Sequence, residues 1–167
     1  MTGKTFKQKY LINITHWSKQ EKGPILIYLE NEESIEKFYR NSGWYNDYVT
    51  KELKGLLVYI EHRYFGVSWP FGDEKNSTTK QNLIFLTTDE ALMDFVEFVH
   101  FLKKTYCSDC PVIAFGGSFA GNLAAWMRMK YPNVIDMAHA SSAPLYYYNN
   151  RKDFDIGIIY KLVTKNY

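Results

Sequence analysis

Val112-Ile113-Ala114-Phe115-Gly116-Gly117-Ser118-Phe119-Ala120-Gly121 is the stretch that decides the fold. Its opening apolar run suits a buried strand, and Asn122 to Lys130 behind it reads as a helix. Between them lies a tight turn of small residues carrying one serine. Strand, sharp serine turn and helix together have the layout of a nucleophile elbow. A serine hydroxyl is a poor nucleophile at its free pKa and needs a base and an oxyanion hole. The elbow lifts Ser118 above the strand ends, within reach of a base from another loop. It also aims the Phe119 backbone N–H at the oxyanion that develops during attack. Gly116 is the small residue two before the serine, and Ala120 stands where a second glycine is usual. Other glycine-rich turns fit less well. A Walker turn ends in Gly-Lys-Ser/Thr, and this one has no lysine. The dinucleotide fingerprint needs a glycine where Ser118 stands.

Upstream, Ile25 to Leu29 and Leu56 to Ile60 are short continuous apolar runs, as in strands buried on both faces. Phe6, Tyr10, Ile12 and Ile14 share one parity and predict a strand with one solvated face. Glu32 to Tyr39 and Trp44 to Leu53 are helical candidates, and Val67 to Asn82 reads as a long loop. Thr87 and Glu90 have capping-box spacing. Leu92, Phe95, Val96, Val99 and Leu102 then share one helical face, and Lys103-Lys104 suit the negative end of the helix dipole. Val134 to Ala140 is a further strand. This alternation predicts an α/β fold: a mostly parallel sheet with helices on both faces.

With 167 residues, the chain is expected to form one domain, and 46% hydrophobic content allows a packed core. Net charge is +2 with dispersed basic residues, which gives no footprint for nucleic acid. No apolar run reaches the ~20 residues of a membrane span. Met1 to Lys9 is basic, without an apolar signal region behind it. Asn13-Ile14-Thr15 and Asn76-Ser77-Thr78 are sequons, making Asn13 and Asn76 candidate glycosylation sites. Cys107 and Cys110 have the spacing of half a zinc site, a redox pair or a local disulfide. No second Cys/His pair follows at finger spacing, and the pair precedes a strand rather than a helix. A structural pair in the loop entering that strand is the preferred reading. No cofactor is implied.

Gly116 to Pro132 resembles the elbow and following helix of the serine peptidase family of prolyl carboxypeptidase, dipeptidyl-peptidase II and thymus-specific serine protease. Three further blocks agree, in family order. They are Glu61-His62-Arg63-Tyr64-Phe65-Gly66-Val67-Ser68-Trp69-Pro70-Phe71-Gly72, Asn82 to Leu92, and Ser141-Ser142-Ala143-Pro144. The resemblance runs from Thr5-Phe6 to Val163-Thr164. It implies a partial α/β-hydrolase fold, ending before a helical cap that the family inserts near Ser142. It implies a glycosylated serine exopeptidase of lysosomes or the secretory route, cutting peptides near proline. Ser118 matches the nucleophile and the Phe119 N–H one oxyanion donor.

The chain departs from the family in three places. The family loop Gly-Asn-Glu-Gly reads Glu30-Asn31-Glu32-Glu33. Asn31 and Glu32 keep the loop that supplies the second oxyanion donor, but the new side chains alter its path and add negative charge. Second, the N-terminus reads as lacking the signal peptide and opening strand that the resemblance implies before Phe6. Third, triad order in this fold is Ser, then Asp, then His. After Ser118 stand only His139 and the acids Asp136, Asp153 and Asp155. His139 reads as a strand histidine, His62 as part of a structural cluster, and His16 and His100 have no evident partners. Loss of a triad member costs roughly 10⁴–10⁶ in turnover, so the 167-residue chain alone is expected to be nearly inactive. An exposed sheet edge is expected at Val134 to Ala140. The alternatives are a non-catalytic interaction protein on the same scaffold and, less favoured by the His62–Gly72 block, an esterase.

Overall fold

The continuous apolar runs become central strands because both faces of the sheet are covered. The computed structural model describes residues 5–145, 155 and 157–166. Strands β1 (Tyr10–Asn13), β2 (Ile25–Leu29), β3 (Leu56–Ile60), β4 (Val112–Gly117) and β5 (Met137–Ser141) form one sheet of order β1-β3-β2-β4-β5. β1 runs antiparallel to β3, and the remaining pairings are parallel. Every residue of β2 and β3 is buried. Alternate residues feed two separate cores, as the two-residue period of a strand requires. Ile25, Ile27, Leu29, Leu56, Val58 and Ile60 face helices α4 (Thr88–Thr105) and α5 (Phe119–Lys130). Leu26, Tyr28, Leu57, Tyr59 and Phe115 face α1 (Ile35–Asn41) and the π-helical turn Trp44–Val49, which runs into α2 (Thr50–Glu52). With this sheet and these helices on both faces, the fold class is that expected from the apolar pattern.

Several boundaries move. Ladder pairing begins at Tyr10 rather than Phe6, and the Phe6 ring lies 5.6 Å from the Arg63 guanidinium carbon. The Val67–Asn82 loop contains a short helix, α3 (Glu74–Ser77), capped by Asp73. α4 starts where the cap spacing places it, with Glu90 N donating to Thr87 Oγ1 at 3.2 Å. The Glu90 carboxylate, however, turns to Arg63 at 3.0 Å. α5 begins three residues earlier than the helical pattern suggested, directly after Ser118. Val134 and Ile135 belong to a turn, since both N–H groups bond back to Tyr131 O. The last strand therefore starts at Met137, and all five of its residues are exposed at the sheet edge. α6 (Ile158–Asn166) closes the described chain.

Candidate active site

Ser118 follows the carboxyl end of β4, with β2 and β5 as its sheet neighbours. β4 ends in Gly117 and α5 starts at Phe119, so the whole reversal falls on one residue. Ser118 has φ 57 and ψ −125, a region that non-glycine residues seldom occupy. The small residues are needed because the helix returns so closely. A Cβ on Gly116 would lie 2.4 Å from the backbone C and O of Ala120. Ala120 is itself wholly buried. The turn is pinned from several sides. Ser118 N donates to Ser141 O at 2.9 Å, from the first residue beyond the β4 ladder. Gly117 N approaches Tyr28 Oη at 3.4 Å, and Ala120 N donates to Asn31 Oδ1 at 2.6 Å. Ser118 itself is exposed, and its side chain does not cap α5. The Phe119 N–H meets no acceptor among the described residues. A free N–H at a helix N-terminus beside an exposed serine is the arrangement that stabilises a developing oxyanion.

The Glu30–Glu33 loop follows β2. Glu30 is wholly buried, and its Oε1 accepts the Asn31 N–H at 3.2 Å. Asn31 is 6% exposed, and its side chain is the one that holds Ala120. Glu32 is exposed. Glu33 lies at the surface, paired with Lys37 at 2.6 Å. Beside Glu30, across the β2–β3 pair, Glu61 is also wholly buried. Its Oε2 accepts from Val67 N at 2.9 Å and Ser68 Oγ at 2.7 Å. Glu30 Oε2 and Glu61 Oε1 have no hydrogen-bond partner among the described residues. Burial, reinforced by Glu61, Glu33 and Glu36, pushes the Glu30 carboxyl from 4.5 up to about 8. Burial also raises the Tyr28 phenol, with the Glu30 charge adding to it. Sequence reasoning did not find this carboxyl pair. The only local sign was an acid directly following each of two fully apolar strands.

No histidine hydrogen-bonds Ser118 among the described residues. His139 sits on β5 opposite Phe115, and its Nδ1 contacts Tyr45 Oη. His62 is buried, its Nδ1 within 2.6 Å of Arg63 O, with its ring 6.1 Å from that of Phe119. Burial lowers the His62 pKa. Arg63 holds Asp94 through Nε at 2.6 Å and Nη2 at 2.7 Å, and Nη1 reaches Phe85 O at 2.9 Å. That block is a structural cluster at a strand end, as the sequence suggested. His100 is exposed on α4, and His16 lies in the turn after β1. Asp136 is used within the fold, its Oδ2 accepting Val112 N at 2.7 Å. Asp155 pairs with Lys161 at 2.5 Å, and Asp153 lies outside the described residues. Cys107 and Cys110 are joined by a disulfide at the entrance to β4. Asn13 Nδ2 donates to Tyr39 Oη at 3.1 Å, and the exposed Asn76 donates to Asp73 Oδ2 at 2.9 Å. No described helix is long and apolar enough to cross a membrane.

Lysosomal Pro-X carboxypeptidase of Bos taurus is 45% identical over 166 residues, covering 98% of this chain and 32% of the relative. The Homo sapiens form is 44% identical over 168 residues, covering 99% of this chain and 33% of the relative. Thymus-specific serine protease of Homo sapiens is 36% identical over 144 residues, covering 85% of this chain and 27% of the relative. The chain thus spans about a third of the length of the curated relatives it matches. Among solved structures, a putative dipeptidyl aminopeptidase IV from Bacteroides ovatus superposes with a TM-score of 0.58 at 18% identity. It covers 80% of this chain and 19% of its own, a likeness of fold that agrees with an α/β-hydrolase sheet. The sequence profile of the serine carboxypeptidase S28 family matches residues 1–165, and the chain belongs to that family.

Proposed function

We propose that the protein is a serine-type exopeptidase acting on peptides with proline near the cleaved bond, with Ser118 as its nucleophile. The observation that carries this reading is the elbow. Ser118 is exposed at a positive φ, and the Phe119 N–H beside it has no acceptor among the described residues. Ser118 Oγ attacks the scissile carbonyl carbon while a base takes the hydroxyl proton. The carbonyl oxygen becomes the oxyanion and receives the Phe119 N–H. The tetrahedral intermediate collapses, the leaving amine takes the proton, and water then cleaves the acyl-enzyme. A second donor comes from the Glu30–Glu33 loop. Since Asn31 N is engaged by Glu30, the Glu32 N–H is the available one. The proline preference rests on the similarity to Pro-X carboxypeptidases. We place the triad Asp and His outside residues 1–167, in a longer catalytic domain of which this chain is the N-terminal portion. No histidine reaches Ser118 here, and the relatives are about three times as long. The proposed lysosomal or secretory location rests on the same similarity, and there Asn13 and Asn76 would be the glycosylation sites.

A fluorophosphonate probe tests the reading on the natural gene product. Rapid labelling that disappears in Ser118→Ala, with cleavage of Pro-containing peptides in preference to aryl esters, is the expected result. An unlabelled natural product would instead support the second reading, a non-catalytic protein on this scaffold. Glu30 favours that reading, because its carboxyl engages a loop N–H beside the site.

A further inference from the structure

A helix that starts at a serine normally uses that serine as its own cap. The hydroxyl accepts the N–H of the second or third helical residue and satisfies one of the orphan donors of the first turn. α5 starts at Ser118, yet Ser118 makes no such bond. Of the two N–H groups it could take, those of Ala120 and Gly121, the first is already occupied. Asn31 Oδ1 accepts it at 2.6 Å from a position 89 residues away in sequence. We infer that Asn31 is a surrogate N-cap of α5 and thereby a positioning residue for the nucleophile: it satisfies the helix so that the Ser118 hydroxyl stays free.

The arrangement is built rather than incidental. Asn31 is 6% exposed, and the bond to Ala120 is buried. Its own N–H is held by Glu30 Oε1 at 3.2 Å. Three residues earlier, the Tyr28 hydroxyl meets Gly117 N at 3.4 Å. One element therefore holds the backbone on both sides of Ser118, at the residue before it and at the second residue after it. That matters because Ser118 sits at φ 57. A residue in this region persists only when its surroundings over-determine it. Without the Asn31 acceptor, the lower-energy outcome is for Ser118 to relax toward an extended cap and turn its own hydroxyl onto α5. The hydroxyl would then be a helix cap and no longer a nucleophile. The Phe119 N–H is unaffected by the surrogate, since Asn31 takes only the next amide along. The roles then divide: Asn31 on Ala120, Phe119 for the oxyanion, Ser118 Oγ for the substrate.

Two measurements test this, and only the second rests on the proposed function. The first is a double-mutant cycle on folding, with Asn31→Ala, Ser118→Ala and the pair compared by urea unfolding. In the parent protein Ser118→Ala should be nearly neutral, because the hydroxyl caps nothing. In the Asn31→Ala background it should lower the folding equilibrium constant about fivefold, the usual worth of an N-cap. Should Asn31→Ala not fold, Asn31→Gln keeps the amide but misplaces the acceptor and should show the same coupling. Additive effects, within about twofold, overturn the inference. The second is the fluorophosphonate rate. Asn31→Ala should slow labelling by about 10²-fold, the scale of a misplaced reacting group. Asn31→Asp, which keeps an acceptor at that reach, should recover most of it. A purely structural role would lower stability in Asn31→Ala and leave the labelling rate intact, which also overturns the inference. If the parent protein is not labelled at all, the proposed function fails and the folding cycle alone decides.

Discussion

Glu30→Gln is the substitution with the largest calculable effect. Glu30 is wholly buried, one oxygen has no partner among the described residues, and the equally buried Glu61 lies beside it. Burial is the main cause that lifts its carboxyl from 4.5 to about 8. In the unfolded chain Glu30 loses its proton near 4.5; in the folded chain it keeps it until about 8. The stabilisation tied to that proton is complete below pH 4.5 and is lost as pH rises through about 8. That gap, at ~1.4 kcal/mol per tenfold change in proton affinity, gives an upper bound of ~5 kcal/mol. A domain of this size has only ~5–15 kcal/mol in total, so the loss should be visible as marked instability above pH 8. His62 acts in the opposite sense: its lowered pKa makes the fold gain stability as pH rises through the range where it loses its proton. The measurement must therefore be a difference. Urea unfolding of the parent and of Glu30→Gln at pH 5, 6.5 and 8.5 cancels His62, which both proteins share. The Gln variant should be markedly the more stable at pH 8.5, with the advantage shrinking toward pH 5. A difference constant within ~1 kcal/mol over this range would show that Glu30 titrates normally and refute the burial reasoning.

Gly116→Ala should destabilise by at least ~1–3 kcal/mol, read as a lower urea midpoint, because its Cβ would fall 2.4 Å from Ala120 backbone atoms. Arg63→Met leaves the 15%-exposed Asp94 carboxylate without its bidentate partner and should cost ~3–5 kcal/mol by the same assay. Replacing Cys107 and Cys110 together by Ala opens a link spanning three positions and should cost only ~2 kcal/mol, because closing so short a loop removes little chain entropy. An unfolding free energy unchanged by the double substitution would show that the turn into β4 holds without the link.

The fold was legible wherever one local pattern decides the outcome. Ile25–Leu29 and Leu56–Ile60 are apolar throughout because helices lie on both faces, and that run length admits little besides a buried strand. Thr87 and Glu90 marked the start of α4, and the small residues around Ser118 marked the elbow. What was not legible depends on partners distant in sequence. Nothing in Tyr10–Asn13 says that it pairs antiparallel with β3. The start of α5 was missed because Gly116 to Gly121 looks like loop, yet the turn is completed by Ser118 alone. Asn31 was read as part of a donor loop, while its side chain acts as an acceptor for an amide 89 positions on. The Glu30–Glu61 pair was hidden for the same reason. Each acid is an ordinary strand-end residue until the sheet sets β2 beside β3.

Burial changes what the glycine-free Glu30–Glu33 loop means for the proposed site. By charge alone, Glu30 and Glu33 oppose a developing oxyanion. Glu33 is removed from that role by its place at the surface, where Lys37 pairs with it. Glu30 is too buried to ionise readily, so below about pH 8 it stands near the site as a neutral acid. A neutral acid does not repel an oxyanion, and its oxygen still holds the loop by accepting the Asn31 N–H. The residual handicap is one engaged backbone donor rather than a buried like charge. One donor of an oxyanion hole is worth ~10²–10³ in turnover, far less than a missing base. Under the proposed function, the altered loop would therefore tune the site rather than abolish it. Whether the site works turns on the base that reaches Ser118, not on Glu30.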